Sequence, residues 1–177
     1  KDLLEERAVK NLDYERIERI FNQINKMNTL VDSILNTSRN ELNVADIELE
    51  STEINNWLGN LLQDFKIDCA GKGLHLIFSP DTSIGNVDID KKFVEIGINN
   101  LVTNAIKYSE SGHIIVSTSK TDTTLIIAVK DEGRGFLCNP EDLFKRYYRE
   151  QENDNITGYG LGLSYARLLI RMLNGDI

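Results

Sequence analysis

The stretch His113-Ile-Ile-Val-Ser-Thr-Ser119-Lys120-Thr-Asp122-Thr123-Thr-Leu-Ile-Ile-Ala-Val129 holds two β-branched runs, His113 to Ser119 and Thr123 to Val129, with Lys120-Thr121-Asp122 between them. Such runs suit a pleated, half-buried surface, and a connection this short sends the second strand back alongside the first. The pair is therefore antiparallel. That decides the fold, because the surrounding chain interleaves helices and strands and would otherwise suggest a doubly wound parallel sheet. With an antiparallel hairpin inside it, the sheet is mixed and its helices lie on one face. The class is α+β, a two-layer α/β sandwich.

Upstream of the hairpin, Asp90 is a good N-cap for a helix running through Lys107. Val87 to Ile89 reads as a short strand. Leu74 to Phe78 reads as another, closed by Ser79-Pro80-Asp81. An amphipathic helix is expected from Thr52 to Ala70, carrying Ile54, Trp57, Leu58, Leu61, Leu62, Phe65 and Ile67, with Gly71 and Gly73 ending it. Before it, Asn43 to Glu50 is acidic and short-sided, as in a hinge. Ile17, Ile20, Ile24, Met27, Val31 and Ile34 then recur at alternating three- and four-residue steps, and no Pro or Gly interrupts Lys1 to Trp57. That is the period of a coiled-coil seam, expected to pack on a partner helix and to support a homodimer. The chain thus divides into a coiled-coil-like helical region, 1–45, and a folded domain, 46–177. Downstream, Phe136 to Thr157 is polar and irregular, with one short helix near Asp142 to Tyr148. A last helix begins around Gly160 and continues to Leu173.

The 177 residues are 41% hydrophobic and 27% charged, with a formal charge of -8. That balance excludes a general nucleic-acid binder, which would show a basic face. Lys107, Arg134, Lys145, Arg146 and Arg149 run against the global sign and mark where a small polyanion would sit. Cys69 and Cys138 share no metal-type spacing and read as free thiols of a reducing, cytoplasmic compartment. There is no apolar run of about 18 residues and no signal-like start, so no membrane contact is expected from this segment.

Three islands carry the chemistry. Asn100, Asn104 and Lys107 fall at steps of four and three and share one helix face. Asn amide oxygens suit a hard cation such as Mg²⁺, Lys107 can hold a phosphate, and Tyr108 offers a ring to stack on a base. Asp131-Glu132-Gly133-Arg134-Gly135 follows directly on a strand. There a carboxylate can accept from an adenine amine, while glycines let the backbone approach a flat ring. Gly158-Tyr159-Gly160-Leu161-Gly162-Leu163 opens a helix, and free N–H groups at a helix start form a phosphate site.

In this order the islands resemble the boxes of the sensor histidine kinases, members of the GHKL ATPase superfamily with the Bergerat-type ATP-binding fold. Asn100 to Tyr108 resembles the Asn box, Asp131 to Gly135 the first glycine box, and Gly158 to Leu163 the second. Leu143-Phe144-Lys145-Arg146-Tyr147-Tyr148-Arg149 is similar to the Phe box within the lid over the nucleotide. Met27 to Arg39 resembles the second helix of the dimerisation and phosphotransfer hairpin.

The resemblance implies a role for each matching residue. Asn104 would coordinate Mg²⁺, with Asn100 close by. Lys107 would touch phosphate, Tyr108 would stack near adenine, and Asp131 would bind the adenine amine. Gly133 and Gly135 would shape that wall, Phe144 would anchor the lid, and Arg149 would reach the terminal phosphate. Gly158, Gly160, Leu161 and Gly162 would form the lid hinge and phosphate cradle. It implies ATP and Mg²⁺ as cofactors. The implied partners are the phosphoacceptor His helix of the parent protein and a response regulator receiver domain.

Two features depart from the family pattern. No histidine matches the phosphoacceptor, since His75 lies in a strand and His113 at a strand start. The chain also ends at Asn174-Gly175-Asp176-Ile177, where the family's sheet normally gains strands. Hydrolytic relatives place a Glu one helical turn before the metal Asn. Asn100 stands there in this chain and cannot act as a general base. Transfer to a protein histidine outside this segment is thus expected over free hydrolysis. The alternatives are a catalytically silent nucleotide-binding regulatory dimer, or another GHKL ATPase or kinase.

Overall fold

Residues 47–149 and 160–177 are described by a computed structural model, and all fall within the unit Asp46–Ile177. The expectations for the region 1–45, its helix and its self-association, lie outside the described residues. Gly158 lies outside them too. In chain order the elements are β1 (Glu50–Glu53), α1 (Ile54–Gly71), β2 (Leu74–Ser79), β3 (Asn86–Ile89), α2 (Lys91–Tyr108), β4 (Gly112–Lys120) and β5 (Leu125–Lys130). A 3₁₀ turn (Pro140–Phe144) and α3 (Gly162–Met172) follow.

The hairpin expected from the sequence is present, with Val116 opposite Val129 and Lys120 opposite Leu125. β2 joins the other edge of β4 in parallel, Leu74 beside Gly112 and Phe78 beside Val116. The sheet order is β2-β4-β5, and it is mixed. Along β4 the alternation is strict: Ile114, Val116 and Thr118 are buried, while His113 and Ser119 are exposed. Ile77 and Ile126 on the other face are 43% and 44% exposed, so a single face carries the core.

That core joins Leu58 and Leu62 of α1, Val94, Ile98 and Val102 of α2, and Val116 of β4. Each fully buried Leu or Val contributes about 1.5–3 kcal/mol of hydrophobic stabilisation. A smaller cluster of Cys69, Leu74, Ala105 and Ile114 closes the end where α1 turns into β2. α3 crosses α2 where Gly97 leaves room, its missing Cβ lying 3.4 Å from Ile170 Cδ1.

Four local expectations change. Thr52 is in a strand, not a helix. β1 pairs antiparallel with β3, turning Thr52 inward, and Glu53 caps α1 by accepting from Asn56 N at 2.8 Å. Ile67 is 74% exposed, so it does not belong to the apolar face of α1. The short helix near Asp142 is instead the 3₁₀ turn from Pro140, capped by Asn139 Oδ1 accepting from Glu141 N. α3 starts at Gly162 because Gly160 has φ +68°, outside helical space. No helix among the described residues is long and apolar enough to cross a membrane.

Candidate nucleotide-binding site

α2 supplies most of the site and is anchored at its start. Asp90 is 4% exposed, and its carboxylate accepts from Phe93 N and Glu48 N, both at 3.0 Å. This caps two backbone donors at once. Phe93, Val94, Gly97, Ile98, Val102 and Ala105 bury one face of the helix. Asn100, Asn104 and Lys107 fall between those positions and are half-buried, so the expected shared face exists.

Asn100 donates from Nδ2 to Ile96 O at 2.8 Å, and its Oδ1 lies against Gly162. A Cβ at position 162 would collide with that oxygen and push the Asn100 amide aside, so glycine lets the start of α3 lie against it. Among the described residues no side chain caps the first amides of α3. Orphan N–H groups therefore lie beside the Asn100 oxygen.

At the C-terminal end of α2, Tyr108 meets the turn after β5. A Cβ at Gly133 would sit 2.8 Å from the Tyr108 carbonyl oxygen, a contact only glycine permits. Gly133 N donates to Asp131 Oδ1 at 2.8 Å, an Asx turn that fixes the carboxylate at the strand end. Gly135 continues it at φ +68°. The Tyr108 ring is 37% exposed, with Lys107 Nζ 5.5 Å and Arg134 Cζ 5.6 Å from its centroid. Lys107 is pushed below the ordinary lysine value, first by burial and then by the charge of Arg149. Two cations close enough to feel each other mark a place that an anion would stabilise.

Tyr147 and Gly160 flank residues 148–159, and Tyr147 N donates to Gly160 O at 2.8 Å. Tyr147 takes φ +62°, rare for an aromatic residue, and Gly160 packs on the Tyr147–Tyr148 backbone where no side chain fits. Phe144 ends the 3₁₀ turn. Its ring is stacked 4.3 Å from the Arg167 guanidinium of α3. Arg167 also holds Glu141 at 2.7 Å and Asp176 at 2.6 Å, while Arg171 shares Asp176 at 3.1 Å. These bonds hold Asp176 and Glu141 below the usual carboxylate range, through the Arg167 hydrogen bonds first. A cavity of about 400 Å³ lies beside this cluster, lined by Phe144, Ser164, Arg167 and Leu168 among others. None of Asn100, Lys107, Tyr108 or Asp131 lines it.

The donor set fits a hard cation. Asn100 spends its nitrogen on Ile96 and presents its oxygen, and Asn104 offers a second amide one turn on. Mg²⁺ takes most of its ligands from water and phosphate, so two amides suffice. No group of three or more His, Cys, Asp or Glu among the described residues could hold a metal.

The family described as histidine kinase-, DNA gyrase B-, and HSP90-like ATPase matches residues 89–177. The adaptive-response sensory kinase SasA of Crocosphaera subtropica is 32% identical over 163 residues, covering 88% of this chain and 42% of its own length. Sensor histidine kinase WalK of Bacillus subtilis is 30% identical over 165 residues, covering 88% of this chain and 26% of its own. The chain thus spans less than half of either relative. Among solved structures, histidine kinase AdeS of Acinetobacter baumannii superposes with a TM-score of 0.70 at 22% identity, over 88% of this chain and 72% of that one. The catalytic domain of histidine kinase ThkA gives 0.60 at 22% identity, over 71% and 81%. The fold is shared with both. With its mixed sheet, its islands and this family match, the chain belongs to the histidine kinase-, DNA gyrase B- and HSP90-like ATPase family.

Proposed function

We propose that the chain is the ATP-binding, phosphoryl-donating part of a protein-histidine kinase acting in a two-component system in the cytoplasm. The observation that carries this reading is the junction at the end of α2. There the Tyr108 carbonyl packs on Gly133 and the Tyr108 ring lies beside Arg134 of the Asp131–Gly135 turn, while Lys107, under the charge of Arg149, lies beside the same ring.

In this reading Asp131 accepts from the adenine amine, and Tyr108 stacks near the base. Gly133 and Gly135 form the wall that the ring approaches. Lys107 and Arg149 hold phosphate oxygens, and the start of α3 at Leu161 and Gly162 receives phosphate on its N–H groups, with Gly158 and Gly160 serving as the lid hinge. Asn104 and Asn100 would hold Mg²⁺, which, when bound, neutralises charge on the phosphates. The transferred phosphoryl group leaves the β-phosphate oxygen and forms a P–N bond to an imidazole nitrogen on a separate helix. ADP departs, and the imidazole proton passes to solvent. The chain's contribution is positioning and charge stabilisation, since Asn100 has no proton-accepting group to activate water. The proposed partners are the His helix of the parent protein, a second copy joined through residues 1–45, and a response regulator receiver domain.

The test supplies the chain with Mg-ATP and a separate polypeptide carrying a His-bearing helix of a related kinase. Acid-labile, base-stable phosphorylation of that histidine is expected. Steady phosphate release without any acceptor would instead assign the chain to a hydrolytic branch of the family.

A further inference from the structure

α2 ends without a glycine cap. Ser109 is extended at φ −96° and ψ 137°, and its N–H bonds the Ala105 carbonyl at 3.1 Å. The carbonyls that follow are met from outside the helix. Lys72 Nζ donates to Ile106 O at 2.8 Å and to Lys107 O at 3.3 Å, and it lies 3.5 Å from Ser109 O. Three acceptors match the three N–H groups of an ammonium, and a cation at a helix C-terminus is favoured by the helix dipole.

Lys72 is itself held in place. It sits in the turn from α1 to β2, where its N–H bonds Cys69 O at 3.0 Å and Gly73 turns the chain at φ +72°. Cys69 and Leu74, on either side, are 1% and 2% exposed and pack in one cluster with Ala105 of α2. The ammonium therefore projects from a base fixed to the same small core that supports the last turn of α2. The next carbonyl along, that of Tyr108, is the one against which Gly133 packs. Lys107 and Tyr108 are carried on this doubly held turn.

We infer that Lys72 is a positioning residue of the nucleotide site, fixing the last turn of α2, which carries Lys107, so that Tyr108 meets the Asp131–Gly135 turn in register. The inference rests on the reading of that junction as an ATP site. Lys72 donates to the backbone carbonyl of Lys107, so its effect is exerted through the helix.

The experiment measures Mg-ATP binding by calorimetry for the whole chain and for Lys72→Met and Lys72→Arg, at low and at high salt. Amide exchange of residues 106–109 is followed without nucleotide. Lys72→Met is expected to bind about five-fold more weakly, with faster exchange in that turn. Lys72→Arg is expected to return affinity to within about two-fold, since a guanidinium can donate to the same carbonyls. The deficit persists at high salt if Lys72 acts by positioning, and fades if it merely attracts phosphate from a distance. A Met variant that binds like the wild type, a deficit that vanishes in salt, or an Arg variant as weak as Met overturns the inference. A wild-type chain that binds no nucleotide overturns the ATP reading and this role together. Faster exchange confined to residues 106–109 of Lys72→Met would then remain as an anchor with no ligand to serve.

Discussion

At Gly162 a Cβ would collide with Asn100 Oδ1, and at Gly133 it would sit 2.8 Å from a backbone carbonyl that cannot swing away. Gly162→Ala is therefore expected to displace Asn100 and cost about 1–3 kcal/mol of stability, read as a lower midpoint in urea. Asp131→Asn leaves the Asx turn sterically intact but replaces a charged acceptor. It should weaken ATP binding by about 1–3 kcal/mol with little change in melting temperature. Lys107 adds a pH signature. Its folded value lies below the ordinary lysine value of 10.5, and in the proposed role its protonated form holds phosphate. ATP affinity should thus fall on the alkaline side earlier than for a free lysine, and Lys107→Arg should remove that fall. A pH-independent affinity in the wild type would contradict the phosphate contact. The spacing of Asn100, Asn104 and Lys107 was legible in the sequence because helical periodicity is a local property. The Arg167 cluster was not. Its partners Glu141 and Asp176 lie 26 and 9 residues away, separations that no secondary-structure period marks.

Among elements, the strongest helix contact in the site region is α2 against α3, at Gly97 and Ile170. An alanine Cβ at position 97 would sit 3.4 Å from Ile170 Cδ1, so Gly97→Ala needs only a small shift of a flexible end. Gly97→Leu cannot be absorbed that way. It should cost about 1–3 kcal/mol and weaken ATP binding by moving Gly162 off Asn100. The 3₁₀ turn depends on Arg167, whose side chain is only 12% exposed. Glu141 and Asp176 both titrate below their ordinary values, so their pairing with Arg167 stabilises the fold above about pH 4.5 and is lost as pH falls. Arg167→Met should flatten the acid limb of the melting temperature between about pH 5 and 3. The hairpin was readable because β-branched runs around a short turn leave one arrangement. β1 was not, because Glu50-Ser51-Thr52-Glu53 has one buried side chain and is a strand only through its pairing with β3.

For the molecule as a whole, the antiparallel hairpin set the fold class, and the parallel partner β2 completes a mixed sheet whose helices cover one face. That arrangement brings α2 against the start of α3 at Asn100 and against the turn after β5 at Tyr108, segments far apart in the sequence. The islands' order was visible in the sequence. The contacts of α2 with those segments depend on tertiary packing, with glycines at 97, 133 and 162 leaving room for them. The central claim is that the junction at the end of α2 binds ATP through Asp131. Calorimetric titration of Mg-ATP into the chain and into Asp131→Asn tests it most directly. One saturable site, weakened about five-fold or more in the variant, is the predicted result. No saturable binding by the wild type, or equal affinity in the two proteins, would contradict it.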